Sequence, residues 1–384
     1  MLHEKQYLSQ LRKATANSLG REITRFPDCV ALSERLQEQG HSITPQTLRR
    51  FFGLINYGGG FNIFTLDALA QFCGFENYSA FRKSLGENEM EIFFKDAGHT
   101  YIPQDFWKAS ERLCTKLTES SSLLAKTHLQ LLKYPRARQF FLEHHPMRDL
   151  SCTVYAQYFQ EYLKYNTTNE AKLFAYGFLF MGAFLSENEE FLEIYFSKVE
   201  KTELTEEVYV LPAARKFGVA LLYHWTQKDE LRFQKTYKEM LKACELYREA
   251  SEKSVCSFEY TVLEHLIFTD KVDEMKFLIE NKTSQKYSDK SFVSLERKEN
   301  HEEVWKIMCA VAFAKMKDVK KCEHYLHAIN ITKLSVGWKN YYTILYYRLK
   351  YDLSEAEERQ EINEILKELI SKTHFTYYEQ FLKN

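Results

Sequence analysis

A stretch of seven residues near the N-terminus, residues 44–50, carries five side chains that can hydrogen-bond to DNA. The five are Thr44, Gln46, Thr47, Arg49 and Arg50. Arginine and glutamine can read base edges in the major groove, and arginine also pairs with phosphate groups. Because adjacent residues point about 100° apart on a helix, Arg49 and Arg50 would contact different parts of a duplex. We therefore take these five as candidate DNA-binding residues.

The neighbouring residues predict the short helix that would present them. The hydroxyl of Thr44 can accept a hydrogen bond from a free backbone N–H at a helix N-terminus. Pro45 fits the first helical position, and Gly53 suits the left-handed residue that follows many helices. Three apolar side chains are expected to face inward: Leu48, Phe51 and Phe52. This spacing leaves the polar side chains on the open face of the helix.

Further helices are predicted on both sides of this one. The apolar spacing indicates a helix from about Tyr7 to Leu19 and a second helix that is ended by Gly40. Downstream, Thr65 is expected to cap another helix, in which Asp67 would favour the positive N-terminal end. A last helix is expected to start at Asn77. The first part of the chain is thus predicted to be a small helical domain.

The composition limits the classes of protein to which the chain can belong. Only 13 glycines and 6 prolines occur among 384 residues, which favours long helices with short connections. The net charge of −1 provides no overall attraction to DNA, so any DNA contact must come from a local patch. No apolar run reaches membrane-spanning length and the N-terminus lacks a signal-peptide core, so we expect a cytoplasmic protein with no membrane partner.

Catalytic and metal sites are not expected. The 8 cysteines include no Cys-x-x-Cys pair, and no Gly-x-Ser-x-Gly nucleophile motif occurs. The best metal candidates are His144 with His145, and His301, but His301 begins no His-Glu-x-x-His motif. Solvated side chains are the preferred interpretation of these histidines. We therefore expect no catalytic residue, no metal ligand, no cofactor and no enzymatic activity.

From about residue 106 onward, long helices alternate with short polar turns. Five such turns recur at intervals of roughly 40 residues, a period typical of helical-hairpin repeats. They lie at residues 186–189, 227–230, 268–271, 316–319 and 353–356. Most follow a strongly apolar helix and precede a more charged amphipathic one, which predicts hairpins with one buried helix each. Stacked hairpins of this kind form an α-solenoid.

Aromatic residues recur at helical spacing in two segments of this second part. The runs are Tyr155, Tyr158, Phe159, Tyr162 and Tyr165, and then Tyr341, Tyr342, Tyr346, Tyr347 and Tyr351. We favour an interpretation as core, in which the rings are buried and each hydroxyl reaches a wet edge. The alternative is a concave peptide groove lined by tyrosines, because the same spacing produces both.

The first part of the chain resembles the lambda-repressor-like, or Xre-type, helix-turn-helix family. Leu32 to Leu36 is similar to the first helix of that motif, Ile43 to Phe51 to its turn and recognition helix, and Thr65 to Phe75 to the helix that follows. The resemblance implies that the five candidate residues lie where the family contacts bases and phosphates. The segment Gln37 to Ser42 makes the turn longer than the family usually has.

The second part resembles tetratricopeptide-like arrays in its period and hairpin form. The segment Ala175 to Phe178 is similar to the small-residue position in the first helix of those repeats. Regulators that combine an Xre-type head with such an array usually sense a peptide or protein partner with the array. The resemblance implies the same role here, by analogy.

Together these patterns predict an all-α chain with two domains. Residues 1–88 would form a helix-turn-helix-like DNA-binding domain, and residues 89–384 a tetratricopeptide-like α-solenoid for sensing or interaction. The predicted function is a transcriptional regulator that binds double-stranded DNA and whose second domain binds a peptide or protein partner, or forms a homodimer. The alternative is a protein–protein interaction scaffold that does not bind DNA.

Overall fold

A computed structural model describes residues 4–82, 84–85, 129, 132–286 and 295–382 of the chain. Every regular secondary-structure element within these residues is a helix, which confirms the all-α prediction. None of the described helices is long and apolar enough to cross a membrane. The chain divides into two compact units, Met1–Ala97 and Gly98–Asn384, which we call the head and the body. The predicted boundary after residue 88 lies outside the described residues.

The helices of the head bury their apolar faces in one shared core. They are α1 (Glu4–Leu19), α2 (Phe26–Glu38), α3 (Pro45–Phe51) and α4 (Ile63–Phe72), and a further helical segment covers residues 78–82 and 84–85. Helix α3 packs against α2, and α4 contacts both α1 and α2. Leu32, Leu48 and Phe51 are fully buried at the centre of this core. The apolar side of α3 therefore faces inward, as its sequence predicts.

The predicted ends of α3 are confirmed. The Thr44 hydroxyl accepts a hydrogen bond from the backbone N–H of Thr47, with 3.2 Å between the two atoms, and Pro45 is the first helical residue. Beyond the helix, Gly53 has a φ of +72°, a left-handed conformation that glycine adopts without strain. These two ends fix the length of α3 and thus decide which side chains face outward.

Helix α4 begins earlier than predicted. Asn62, not Thr65, caps it, and the Asn62 side chain accepts a hydrogen bond from the backbone N–H of Phe64 at 3.0 Å. Thr65 is buried within the helix. Asp67 does not serve the N-terminus of α4, because its carboxylate accepts the backbone N–H of Tyr78 at 2.8 Å and links α4 to the next helical segment. Asparagine caps helices as well as threonine does, so the sequence offered two competing caps.

The body is a succession of helices with short connections. They are α5 (Ala156–Tyr165), α6 (Asn169–Leu185), α7 (Glu189–Lys201), α8 (Val210–Thr226), α9 (Glu230–Leu246), α10 (Arg248–Lys253), α11 (Phe258–Leu266), α12 (Val272–Glu280), α13 (Leu295–Lys315), α14 (Val319–His327), α15 (Lys339–Leu353) and α16 (Ala356–Thr373). Shorter helical turns cover Pro135–Arg138, Gln139–Glu143, Arg148–Leu150, Ile331–Lys333 and Thr376–Phe381. All five predicted polar turns fall at junctions between these helices, so their prediction is confirmed.

Three of the polar turns share one backbone geometry. The second residue of each is left-handed, and these residues are Glu187, Lys228 and Lys317, with φ of 53°, 56° and 59°. The residue that follows caps the next helix by accepting the backbone N–H three positions on, and the caps are Asn188, Asp229 and Asp318. The left-handed residue ends one helix and the cap begins the next, so the chain reverses within a few residues.

The helices of the body pair as consecutive hairpins. The hairpins are α6 with α7, α8 with α9, α11 with α12, α13 with α14, and α15 with α16. First helices of successive hairpins also contact one another, since α8 packs against both α6 and α11, and α13 contacts both α11 and α15. These first helices carry core residues such as Phe180, Leu222 and Ile307. Each step has the packing that an α-solenoid requires, while the solenoid as a whole stays a prediction.

A short segment before α5 is tied to the N-terminus of α15. The buried Asp149 carboxylate accepts the backbone N–H groups of Asn340 and Tyr341, with O···N distances of 3.0 and 2.8 Å. Close by, the Trp338 indole N–H donates to the carbonyl of Pro146 at 2.7 Å. These bonds join parts of the body that lie 191 or 192 residues apart in the sequence, so they fasten the segment before α5 to the last hairpin.

We expect Asp149→Ala to destabilise the body by about 2–4 kcal/mol, because two buried N–H groups would be left without an acceptor. Urea unfolding followed by tryptophan fluorescence measures this, since all 4 tryptophans of the chain belong to the body. Asp352→Ala is the control, because Asp352 lies on the same helix as the two N–H groups and makes an exposed pair with Arg348. A midpoint for Asp149→Ala no lower than that of the control would contradict the expectation.

Candidate functional site

The outward face of α3 carries the five residues predicted to contact DNA. Thr44, Gln46 and Arg50 are exposed, and Thr47 and Arg49 are half-buried. The hydroxyl oxygens of Thr44 and Thr47 lie 3.0 Å apart and form a hydrogen bond. Part of the bonding capacity of the two threonines is therefore used at the start of the helix. Gln46, Arg49 and Arg50 supply the other polar groups of this surface, which we call the α3 face.

Uncharged partners hold both arginines of the α3 face. Nη1 of Arg49 donates to Oε1 of Gln46 at 3.0 Å, and its guanidinium lies 5.3 Å from the ring centroid of Phe26. The Arg50 guanidinium lies 5.3 Å from the ring centroid of Tyr57. Neither arginine forms an ion pair with a residue in the described part of the chain. Aromatic rings orient a guanidinium without neutralising it, so both charges remain open to an anionic partner.

A second candidate site is a cavity of about 410 Å³ inside the body. Helices α5, α6, α8, α11 and α13 form its wall together with the segment from Glu143 to Arg148. Its apolar lining includes Phe174, Leu211 and Trp338. We call this space the body cavity. Its size and mixed lining are those of small-ligand sites in proteins.

A buried ion pair lies in the wall of the body cavity. The Arg148 guanidinium pairs with the Glu264 carboxylate, and the Tyr342 hydroxyl donates to Oε1 of Glu264 at 2.6 Å. All three side chains are buried. Burial acts to raise the pKa of Glu264, but Arg148, His265 and Arg215 hold that pKa below its usual value. Glu264 is therefore ionised at neutral pH, and its charge compensates that of Arg148.

Arg215 is a second buried cation in this wall, and it has no such partner. It is 7% exposed, and its guanidinium makes no hydrogen bond or ion pair with any residue that the structure describes. It lies 4.4 Å from the ring centroid of Phe178 and 5.7 Å from that of Phe174. Burial, and then the charge of Arg148, lower the pKa of Arg215 to about 10. Arg215 therefore stays charged at neutral pH.

The stem of Arg215 fits in place because residue 177 is a glycine. A Cβ atom at Gly177 would lie 2.3 Å from Cδ and 2.6 Å from Cγ of Arg215. Such distances are far inside van der Waals contact, so a larger residue would displace the arginine. Gly177 belongs to the small-residue segment Ala175 to Phe178 that the sequence singles out. The structure gives the reason for the glycine, which is the close packing of α6 against the side chain from α8.

The histidines interpreted as solvated are not solvated. His145 and His301 are buried, and the half-buried His144 lines the body cavity together with His301. Burial, and then the charge of Arg297, lower the pKa of His144 to about 3 and hold that of His301 well below its usual value. Nδ1 of His301 also bonds to the Tyr260 hydroxyl at 3.1 Å. The prediction is wrong because the helices that cover these residues are distant in sequence.

Most residues of the two aromatic runs are core residues, as favoured from the sequence. The buried members are Tyr155, Tyr158, Phe159, Tyr162, Tyr341 and Tyr342. The expectation that each hydroxyl reaches a wet edge is wrong for α15. There the Tyr342 hydroxyl bonds to Glu264 inside the protein, and the Tyr341 hydroxyl is buried with no hydrogen-bond partner among the described residues.

The charged residues of the body cavity belong to no sequence motif. Arg215 and Glu264 each interrupt a strongly apolar helix, α8 and α11. Charged residues are rarely buried without a partner, so a charge inside an apolar helix is the signal that could have identified them. Within the described residues, no group of three or more His, Cys, Asp or Glu side chains could hold a metal ion.

Comparison with known proteins gives no assignment. No protein-family model, no curated protein and no solved structure matches this chain. The function must therefore be inferred from the chemistry of the α3 face and of the body cavity.

Proposed function

We propose that this chain is a cytoplasmic transcriptional regulator that binds double-stranded DNA through the α3 face. The observation that carries the proposal is the pair of arginine charges on that face, which no described carboxylate neutralises. Arg49 and Arg50 would contact phosphates or guanine, and Gln46 would read a base edge. The body would bind a peptide or protein partner, or a second copy of the chain.

The anchoring of α3 supports this proposal. Leu48 and Phe51 on its inner side are fully buried. At the C-terminal end, Nε of Arg12 donates to the backbone carbonyl of Phe51, which ties α3 to α1. The α3 face is thus held on a fixed element, and binding would not require the helix itself to be ordered first.

Replacing both Arg49 and Arg50 with alanine is expected to weaken DNA binding by about 10- to 100-fold, because a single arginine–guanine pair contributes about 1–3 kcal/mol of discrimination. The duplex would be selected from a random library with the full chain, and affinity measured by electrophoretic shift over a salt series. The slope of log affinity against log salt concentration should become shallower by about 1 for each phosphate group that the variant no longer binds.

Two further variants serve as controls. Arg35→Ala removes an exposed arginine of α2 that lies 3.9 Å from the carboxylate of Glu38. One positive charge is then lost outside the α3 face, and binding should change much less than half as much, on a logarithmic scale, as in the double variant. Gln46→Ala is expected to relax the preference for one base and to leave the salt slope unchanged. The proposal is wrong if no duplex is selected, or if the double arginine variant binds like the wild type.

The interaction scaffold remains a second candidate because large apolar side chains are exposed in the head. Phe26, Tyr57, Ile63 and Phe64 are between 43% and 60% exposed, and exposed apolar patches mark sites for protein partners. In that case, a protein bound to the head would be released by Ile63→Ser with Phe64→Ser. The double arginine variant would retain it, and no salt-dependent DNA shift would be seen.

A further inference from the structure

The body cavity holds a cation that the ion pairs of its wall leave uncompensated. Arg148 is matched by Glu264, and Lys253 at the cavity is matched by Glu249. Arg215, which is buried beside them, lies against two aromatic rings and Gly177, and it makes no hydrogen bond or ion pair with any described residue. Burying a charge without a partner is costly. A fold that keeps Arg215 in this place therefore indicates a role for its charge.

Other polar groups of the wall are also unsatisfied. The Oγ atom of Ser254 and the Nε2 atom of His301 are buried and have no hydrogen-bond partner within the described residues, and both residues line the cavity. Nε of Arg148 is also buried and has no hydrogen-bond partner within the described residues. Most buried polar groups in proteins are bonded. Ser254 Oγ and Arg148 Nε can both donate, so a group that accepts hydrogen bonds would satisfy them.

The lining also selects the charge and shape of that partner. Glu143, Glu170 and Glu264 share the wall with four cations, which are Arg148, Arg215, Lys253 and Arg297. The cations exceed the carboxylates by one charge, which a monoanion balances and a dianion such as phosphate exceeds. A planar carboxylate matches the donor geometry of a guanidinium. The apolar surfaces of Phe174 and Leu211 in the same wall can cover an apolar body attached to it.

We propose that the body cavity binds a carboxylate ligand, with its carboxylate on Arg215 and its apolar part against Phe174 and Leu211. Free organic acids and the C-termini of short peptides share this chemistry. The ligand would supply the negative charge that Arg215 lacks and accept hydrogen bonds from the unsatisfied groups nearby. This inference does not rest on DNA binding, because its test measures the binding of a small ligand and involves no duplex.

The first test compares carboxylates with their amides on the full wild-type chain. The probes are hexanoate with hexanamide, the tripeptide acetyl-alanyl-alanyl-leucine with its C-terminal amide, and inorganic phosphate. We expect hexanoate or the free peptide to raise the melting temperature, and the matched amide to have no effect, since ligands that bind only the folded state stabilise it. A higher melting temperature with hexanoate would indicate that the ligand is a free organic acid. A higher melting temperature with the peptide alone would indicate that the ligand is a peptide C-terminus. The proposal is overturned if neither carboxylate exceeds its amide, or if phosphate alone binds.

The second test removes the positive charge of Arg215. Arg215→Met is expected to weaken carboxylate binding in calorimetry by about 10- to 100-fold, and to leave the ligand-free body as stable as before or more stable, because a buried unpaired charge is removed. Gly177→Ala keeps the charge but displaces the Arg215 stem, so it should also weaken binding.

A control variant, and the result that would contradict the proposal, distinguish ligand binding by Arg215 from a purely structural role. Lys253→Met removes an exposed cation at the cavity that pairs with Glu249, and should change affinity little. If Arg215→Met leaves carboxylate affinity unchanged, then Arg215 does not hold the carboxylate and the proposal is wrong. The comparison of carboxylate with amide on the wild-type chain decides whether the body cavity binds a carboxylate, even where a variant does not fold.

Discussion

Glu264→Gln is expected to destabilise the body by about 3–5 kcal/mol, the usual cost of breaking a buried ion pair from one side. The substitution preserves the size of the side chain, and the Tyr342 hydroxyl can still donate to the amide oxygen. Arg148 would remain charged and buried without its carboxylate, close to Arg215, which has no carboxylate partner either. The destabilisation would therefore come from uncompensated charge rather than from a cavity.

Urea unfolding followed by tryptophan fluorescence measures this effect in the body. Trp338 lies with its ring centroid 4.5 Å from the Arg148 guanidinium, so its emission would also report a displaced arginine. Glu249→Gln is the control, because Glu249 pairs with Lys253 on the surface and its removal should leave the midpoint nearly unchanged. Replacing Arg148 and Glu264 together with methionine should recover much of the stability. A midpoint for Glu264→Gln equal to that of the control would contradict the prediction.

Features with local determinants could be predicted from the sequence. Thr44, Pro45 and Gly53 each act within a few residues, and the structure confirms both ends of α3. The polar turns of the body were predictable for the same reason, since each contains its own capping residue or break. The start of α4 was not, because Asn62 and Thr65 are both good caps and only packing of the helix against the core decides between them.

Features that depend on distant partners could not be predicted. Arg148 and Glu264 are 116 residues apart, so no spacing rule links them. For the α3 face, the sequence supplied the five candidate residues and their outward direction. It could not supply the aromatic partners of the arginines, because Phe26 and Tyr57 lie on other elements. The role of these residues in DNA binding stays a prediction.

The body is expected to lose stability steeply as the pH falls below about 6.5, the ordinary pKa of histidine. Five of its histidines have lowered pKa values, and they are His144, His145, His224, His265 and His301. Burial lowers the pKa of His265 to about 4, although Glu264 opposes the shift. Below pH 6.5, roughly, the unfolded chain takes up protons that the folded chain does not. Stability that is fully present above this pH is therefore lost as the pH falls.

The size of the pH effect on stability depends on how many more protons the unfolded chain binds than the folded chain does. Each histidine can contribute up to about 1.4 kcal/mol per pH unit. Two carboxyl groups act in the opposite direction, because burial raises the pKa of Asp149 to about 6 and desolvation also raises that of the half-buried Glu143. These groups take up protons first in the folded state, which adds stability as the pH falls. The shifted histidines outnumber these two carboxyl groups, so the net result should be a loss of stability as the pH falls below about 6.5.

Urea unfolding at a series of pH values tests this, and one variant isolates a single histidine. His265→Gln removes a titrating group, and its amide can replace the contact between Nδ1 of His265 and the carbonyl of Thr261, which is 2.9 Å long. The pH slope should fall by about 1.4 kcal/mol per unit. His324→Gln, at an exposed position on α14, should leave the slope unchanged. A stability that stays constant from about pH 7.5 to about pH 5.5 would mean that the folded body protonates its histidines as readily as the unfolded chain does.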